Sequence, residues 1–173
     1  MSIATVVLCP PLPGGAPAYD AAGTADVLLD DPRLAGVRVM SPDVAPGEPG
    51  DDERTARAHW VGQLAVALAV GGAGGPLLLV LDGSAGALAP ALGFAQKAAR
   101  RAVAGYVLVD AATPPVESRG GDWPDAPVWY LASPSADPLE VNQATLRGWT
   151  VVQLADALPA AVGDAIAGLA ASV

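Results

Sequence analysis

Six short, mainly apolar runs, rich in leucine and β-branched side chains, recur at 4–9, 37–40, 77–81, 106–109, 128–131 and 150–154. Each is closed within a few residues by Gly, Pro or Asp. A strand with one wet face alternates apolar and polar side chains. Runs without alternation are covered on both faces, which is the condition of a parallel sheet. Helical patterns separate the runs at 52–70, 85–103, 139–146 and 159–171. In the first of these, Trp60, Leu64 and Leu68 repeat at i, i+4 and i+8, the spacing of a core-facing stripe. Strands alternating with helices predict an α/β fold: one doubly wound domain over residues 1–173, with right-handed crossovers and about six mostly parallel strands. Such sheets bind ligands at the carboxyl ends of their strands, so chemistry is expected there.

Composition narrows the function classes. The chain has 173 residues, 52% of them hydrophobic, too apolar to stay solvated and unfolded. Its net charge of -9 repels phosphate backbones and anionic headgroups, which argues against nucleic acid and membrane partners. Cys9 is the only cysteine, so no internal disulfide forms and a reducing, cytoplasmic setting is expected. The N-terminal apolar run is short and lacks a basic lead, unlike a signal peptide. Residues 60–81 are long enough to span a bilayer, but the Gly-Pro interruption at 71–76 fits a helix followed by a buried strand better. Lys97 is the sole lysine, and the excess of Arg, Ala, Gly and Pro has the bias of a GC-rich bacterial genome.

At the end of the first run, Cys9-Pro10-Pro11-Leu12-Pro13-Gly14-Gly15 is either a proline-stiffened strand exit or a loop whose backbone N–H groups face an oxyanion. It has neither the GK[ST] of a phosphate-binding loop nor a G-x-G-x-x-G fingerprint. The central run ends in Leu81-Asp82-Gly83-Ser84-Ala85-Gly86-Ala87-Leu88-Ala89-Pro90, small residues that lead from a strand straight into a helical pattern. That is the setting of a nucleophile elbow. Here the chain resembles the α/β-hydrolase family. The segments 107–111, 127–131 and 147–149 follow in the family's order, and the short connection between Asp110 and Val128 resembles members without a lid.

The elbow departs from the family pattern. Ser84 and Gly86 match the end of G-x-S-x-G, but Asp82 replaces its leading glycine. In a second registration, 85–90 match the second half of V-G-H-S-G-A-G-P-L-x-P, with Ala87 in place of a proline. Gly83 then takes the nucleophile's place and Asp82 that of the preceding histidine. Ser84 is a nucleophile in the first registration and a helix N-cap in the second. The resemblance implies a histidine base after the last strand, where 151–160 contain none. The only histidine, His59, is expected on the rim or in solvent on the helix before the central strand. A serine hydroxyl without a base is a weak nucleophile.

Carboxylates remain. The family's strand order implies that Asp82 and Asp110 end neighbouring strands, where mutual repulsion and desolvation would split their pKa values into an acid/base pair. The alternative is structural: Asp110 as a turn acceptor and Asp82 as a cap. Asp137 follows the next strand, at a position the family uses for its acid. With no His or Cys cluster a metal is not expected, and no cofactor is. Leu12, Gly14, Gly83, Ala85, Trp123 and Asp137 are the candidate substrate contacts, with 117–124 as a loop over the site. Trp129 and Tyr130 are successive on one strand and face opposite sides. The expected function is a diverged hydrolase-like protein that holds a small apolar molecule. It would promote cyclisation, isomerisation or elimination through Asp82 and Asp110, in natural-product biosynthesis. The alternatives are an inactive binding or partner subunit, including a homodimer, and an esterase using Ser84 with an unusual base.

Overall fold

In the computed structural model, which describes residues 2–45, 52–115 and 123–173, the six apolar runs form one parallel sheet. The strands are β1 (Thr5–Leu8), β2 (Arg38–Met40), β3 (Leu77–Asp82), β4 (Val103–Val109), β5 (Val128–Ala132) and β6 (Thr150–Gln153), in spatial order β2-β1-β3-β4-β5-β6. Every pair is parallel. The four inner strands are almost wholly buried, whereas the edge strands β2 and β6 are partly exposed. That difference is the reason the inner runs lack alternation.

Helices α1 (Ala21–Asp30) and α5 (Pro159–Ser172) cover one face; α2 (Glu53–Val70), α3 (Ala89–Ala98) and α4 (Pro138–Leu146) cover the other. The sheet's side chains sort by alternation. Leu77, Leu79 and Leu81 pack beneath α2 and α3, while Leu78 and Val80 meet α1 and α5. Trp60, Leu64 and Leu68 are the buried residues of α2, as their spacing predicts. Tyr130 and Trp129 do face opposite cores. Among the described residues no helix is long and apolar enough to cross a membrane, because residues 60–81 divide into the end of α2 and β3.

Two elements differ from the sequence expectation. Helix α1 has no counterpart among the expected helices. Its start is nonetheless encoded by Asp20, whose carboxylate caps the N–H of Gly23 at 3.1 Å. The helix expected over 85–103 is shorter. Residues Gly83–Leu88 form a 3-10 turn, Pro90 stands in the first turn of α3, and Val103 already belongs to β4. A proline lacks the N–H that a helix interior needs, so a helix begins there rather than passing through.

The fully buried stripe of α2 holds that helix to the sheet. Leu64→Ala is expected to cost about 2–5 kcal/mol in urea unfolding, the range for a buried leucine that leaves a cavity. A loss well under 1 kcal/mol would mean that α2 does not depend on this contact.

Candidate functional site

The carboxyl edge above β1 and β3 is built from two backbone segments in close contact. After β3 the chain turns at Gly83, whose φ of +47° lies in the left-handed region that side chains disfavour. The 3-10 turn that follows lies against the end of β4. The Gly83 carbonyl accepts from Ala112 N–H at 2.8 Å, and a β-carbon on Gly86 would stand 2.5 Å from the Ala112 carbonyl oxygen. No side chain fits at Gly86, which explains the glycine there. The segment after β1 turns at Gly14 and closes with a 2.8 Å hydrogen bond from Gly15 N–H to the Leu12 carbonyl. A β-carbon on Gly15 would lie 3.3 Å from Ser84 Oγ.

Asp82 joins the two segments. Its Oδ2 accepts from Ala18 N–H at 2.8 Å, across 64 residues of chain. The residue is 3% exposed, and Oδ1 has no hydrogen-bond partner among the described residues. Burial raises its pKa above the usual carboxylate range, against the pull of the Ala18 and Asp82 N–H groups directed at it. Burial and the Asp82 charge also push the Cys9 thiol and the Tyr19 phenol well above their ordinary values. Cys9 therefore stays a protonated core residue rather than a thiolate. The cap expected of Asp82 is not made: it precedes the 3-10 turn without a side-chain bond to it.

Asp110 has separate partners. At the end of β4 it adopts a φ of +44°, accepts from Ser133 N–H at 2.8 Å, and takes a short hydrogen bond from Ser133 Oγ–H. It thus ties the exit of β4 to that of β5, the turn-acceptor role of the two expected. β3 and β4 are neighbours, with Asp82 in register with Val109. Yet the two carboxylates share no hydrogen bond, and the Asp110 charge is not among the causes that move Asp82.

The other candidates divide. Ser84 is exposed, its hydroxyl makes no hydrogen bond among the described residues, and it caps neither the 3-10 turn nor α3. It stands inside the turn rather than before it. Leu12 and Gly14 line the cleft beside it, although Leu12 is mostly core. Ala85 is 1% exposed and belongs to the core. Asp137 is exposed and caps α4 through Leu139 N–H at 2.9 Å. Trp123 lines a separate cavity of about 560 Å3 near the starts of β5 and β6, with Trp149 and Arg147. Of the expected loop at 117–124, residues 117–122 lie outside the described residues. His59 is half-buried, the rim alternative of the two expected, and its Nε2 has no partner among the described residues. No three His, Cys, Asp or Glu side chains among the described residues are grouped to hold a metal.

Sequence reasoning missed Glu53, Arg54 and Arg57 at the start of α2. They meet the elbow in a cleft of about 240 Å3, shared by Gly14, Gly15, Ser84, Glu53 and Arg57, and in an adjoining groove of about 520 Å3. The signal was present: a crossover helix runs antiparallel to its strands, so its first turn lies at their carboxyl edge.

The fold has counterparts of known structure. The chain superimposes on a protein described as a hydrolase of the alpha/beta superfamily from Xanthomonas campestris pv. campestris with a TM-score of 0.63 and 15% identity over 100% of both chains. An alpha-beta serine hydrolase homologue from Coxiella burnetii gives 0.58 and 14%, covering 97% of this chain and 83% of the other. Carboxyl esterase 2 from Tuber melanosporum gives 0.55 and 12%, covering 98% and 77%. These establish an α/β-hydrolase fold without a cap. No family model and no curated protein matches the sequence.

Two outcomes follow from the carboxylates. With a folded pKa above its unfolded value of about 3.9, Asp82 binds its proton more tightly in the native state. Stability contributed by this group is full below that pH and falls as pH rises towards the folded pKa. Asp82→Asn should therefore raise the melting temperature more at pH 7 than at pH 3.5, where the acid is already neutral. An equal shift at both would refute a raised pKa. Asp110→Ala removes both Ser133 hydrogen bonds and is expected to lose about 1–3 kcal/mol in urea unfolding. An unchanged midpoint would show that the tie is dispensable.

Proposed function

We propose that this protein binds a small organic molecule at the cleft beside Ser84, on a hydrolase scaffold that does not run Ser-His-Asp chemistry. The observation that carries this reading is the strained residue of the elbow. In a nucleophile elbow the serine sits at the strained position of the strand-to-helix turn. Here that position, with φ of +47°, is Gly83. Ser84 is one residue later, in the turn that follows. The missing imidazole points the same way. The sequence has one histidine, His59, and it is on α2 rather than after β6.

Binding is favoured over the carboxylate chemistry of a cyclase or isomerase. A general acid must reach the proton it transfers. Asp82 is buried beneath the turn and Asp110 is engaged by Ser133, so neither is offered to a ligand in the cleft. A homodimer or a partner enzyme is compatible with this reading and adds nothing to it.

The test is fluorophosphonate labelling followed by intact mass, with turnover of short p-nitrophenyl esters. The native chain is expected to give no adduct and no turnover above background. A single adduct on Ser84, lost in Ser84→Ala and accompanied by ester hydrolysis, would overturn the proposal and make the protein a serine hydrolase with an unusual base.

A further inference from the structure

The cleft beside Ser84 and the adjoining groove share Glu53 and Arg57 as walls. Together they have two arms of different chemistry. The polar arm holds Gly14, Gly15 and the free hydroxyl of Ser84. The apolar arm is formed by Ala58, Val61, Leu88 and Ala91, with Arg54 and Arg57 along its side. The arginines set the site apart from the rest of the chain. The net charge of the protein is -9, yet the groove lining carries two arginines against one carboxylate, Glu53.

Neither arginine is committed. The Arg54 side chain makes no ion pair or hydrogen bond among the described residues. Arg57 meets Glu53 at 2.6 Å, but this is an i,i+4 pair on an exposed helix face, with side chains 43% and 79% exposed. Such pairs contribute little because water screens them and both side chains lose rotamer freedom. A ligand carboxylate that brings its own apolar body into the groove can replace Glu53 and form the two-point contact for which a guanidinium fork is shaped.

We infer that the site selects small amphiphilic carboxylates, with the anionic head on Arg57 beside Ser84 and the apolar tail along Val61, Leu88 and Ala91. This rests on the reading of the cleft as a ligand site and adds the class of ligand. Arg57 is the residue that determines specificity, and Glu53 is a built-in competitor that holds it in the empty protein.

The experiment is calorimetric titration with octanoate and its neutral isostere octanamide. Octanoate should bind at least tenfold more tightly than octanamide at low ionic strength, with the gap narrowing as salt is raised. Arg57→Gln should abolish the difference. Glu53→Gln should tighten octanoate and leave octanamide unchanged, a result that a merely structural role for the pair would not give. Both substitutions are at exposed positions, and circular dichroism checks the fold. Equal binding of the two probes would overturn the carboxylate selectivity and leave the ligand site standing. Binding of neither probe to any variant would overturn both. Ester turnover with a Ser84 adduct would overturn only the non-hydrolytic reading.

Discussion

Burial of the sheet on both faces is the constraint on which the rest of this molecule depends. Leu77 to Leu81 contribute side chains alternately to two separate cores, and all five are at 0% exposure. A polar side chain inside such a strand would need a hydrogen-bond partner in a region that supplies none. Polar chemistry is therefore pushed to the places where strands end. Asp82 stands at that boundary, the last residue of β3 and the only one of its six that carries a charge. It keeps one oxygen on Ala18 N–H, and the other has no partner among the described residues.

The same boundary explains the shape of the cleft. Asp82 draws the segment after β1 down onto the turn after β3, while Gly83 and Gly86 let that turn approach the exit of β4. Close approach buries Asp82 beneath the turn. The open space lies to the side, between the turn and the first two turns of α2, where Arg54, Arg57 and Glu53 stand. A hydrolase fold fixes where a site lies and leaves open which chemistry is done there. The proposed recognition of a charged head by arginines rests on this lateral position.

Much of the fold was legible in the chain. Continuous apolar runs separated by helical patterns specify a buried parallel sheet, and the Trp60, Leu64, Leu68 stripe gives the face that α2 buries. Helix α1 was not legible, because Gly23 and Thr24 weaken its propensity and its packing against α5 supplies what they lack. There Gly23 meets Pro159, and Gly163 meets Val27, contacts that exist only once both helices lie on the sheet. The candidate site was legible in part. The small-residue elbow and the absence of a histidine after β6 were plain from sequence, whereas two registrations of the elbow left open whether Gly83 or Ser84 takes the nucleophile's place.

The chain's own pattern specified the class of fold and the residue types that stand where its strands end. Tertiary structure alone decided how those residues are used. Asp82 and Asp110 end adjacent strands, but the pleat and the backbone turn at Asp110 direct them to Ala18 and Ser133 rather than to each other. Trp123 lies five residues before β5 in sequence, and its packing on Tyr106 and Trp149 carries it to a cavity apart from Ser84. Side-chain direction and long-range partners are set by packing, and periodicity along a chain does not contain them.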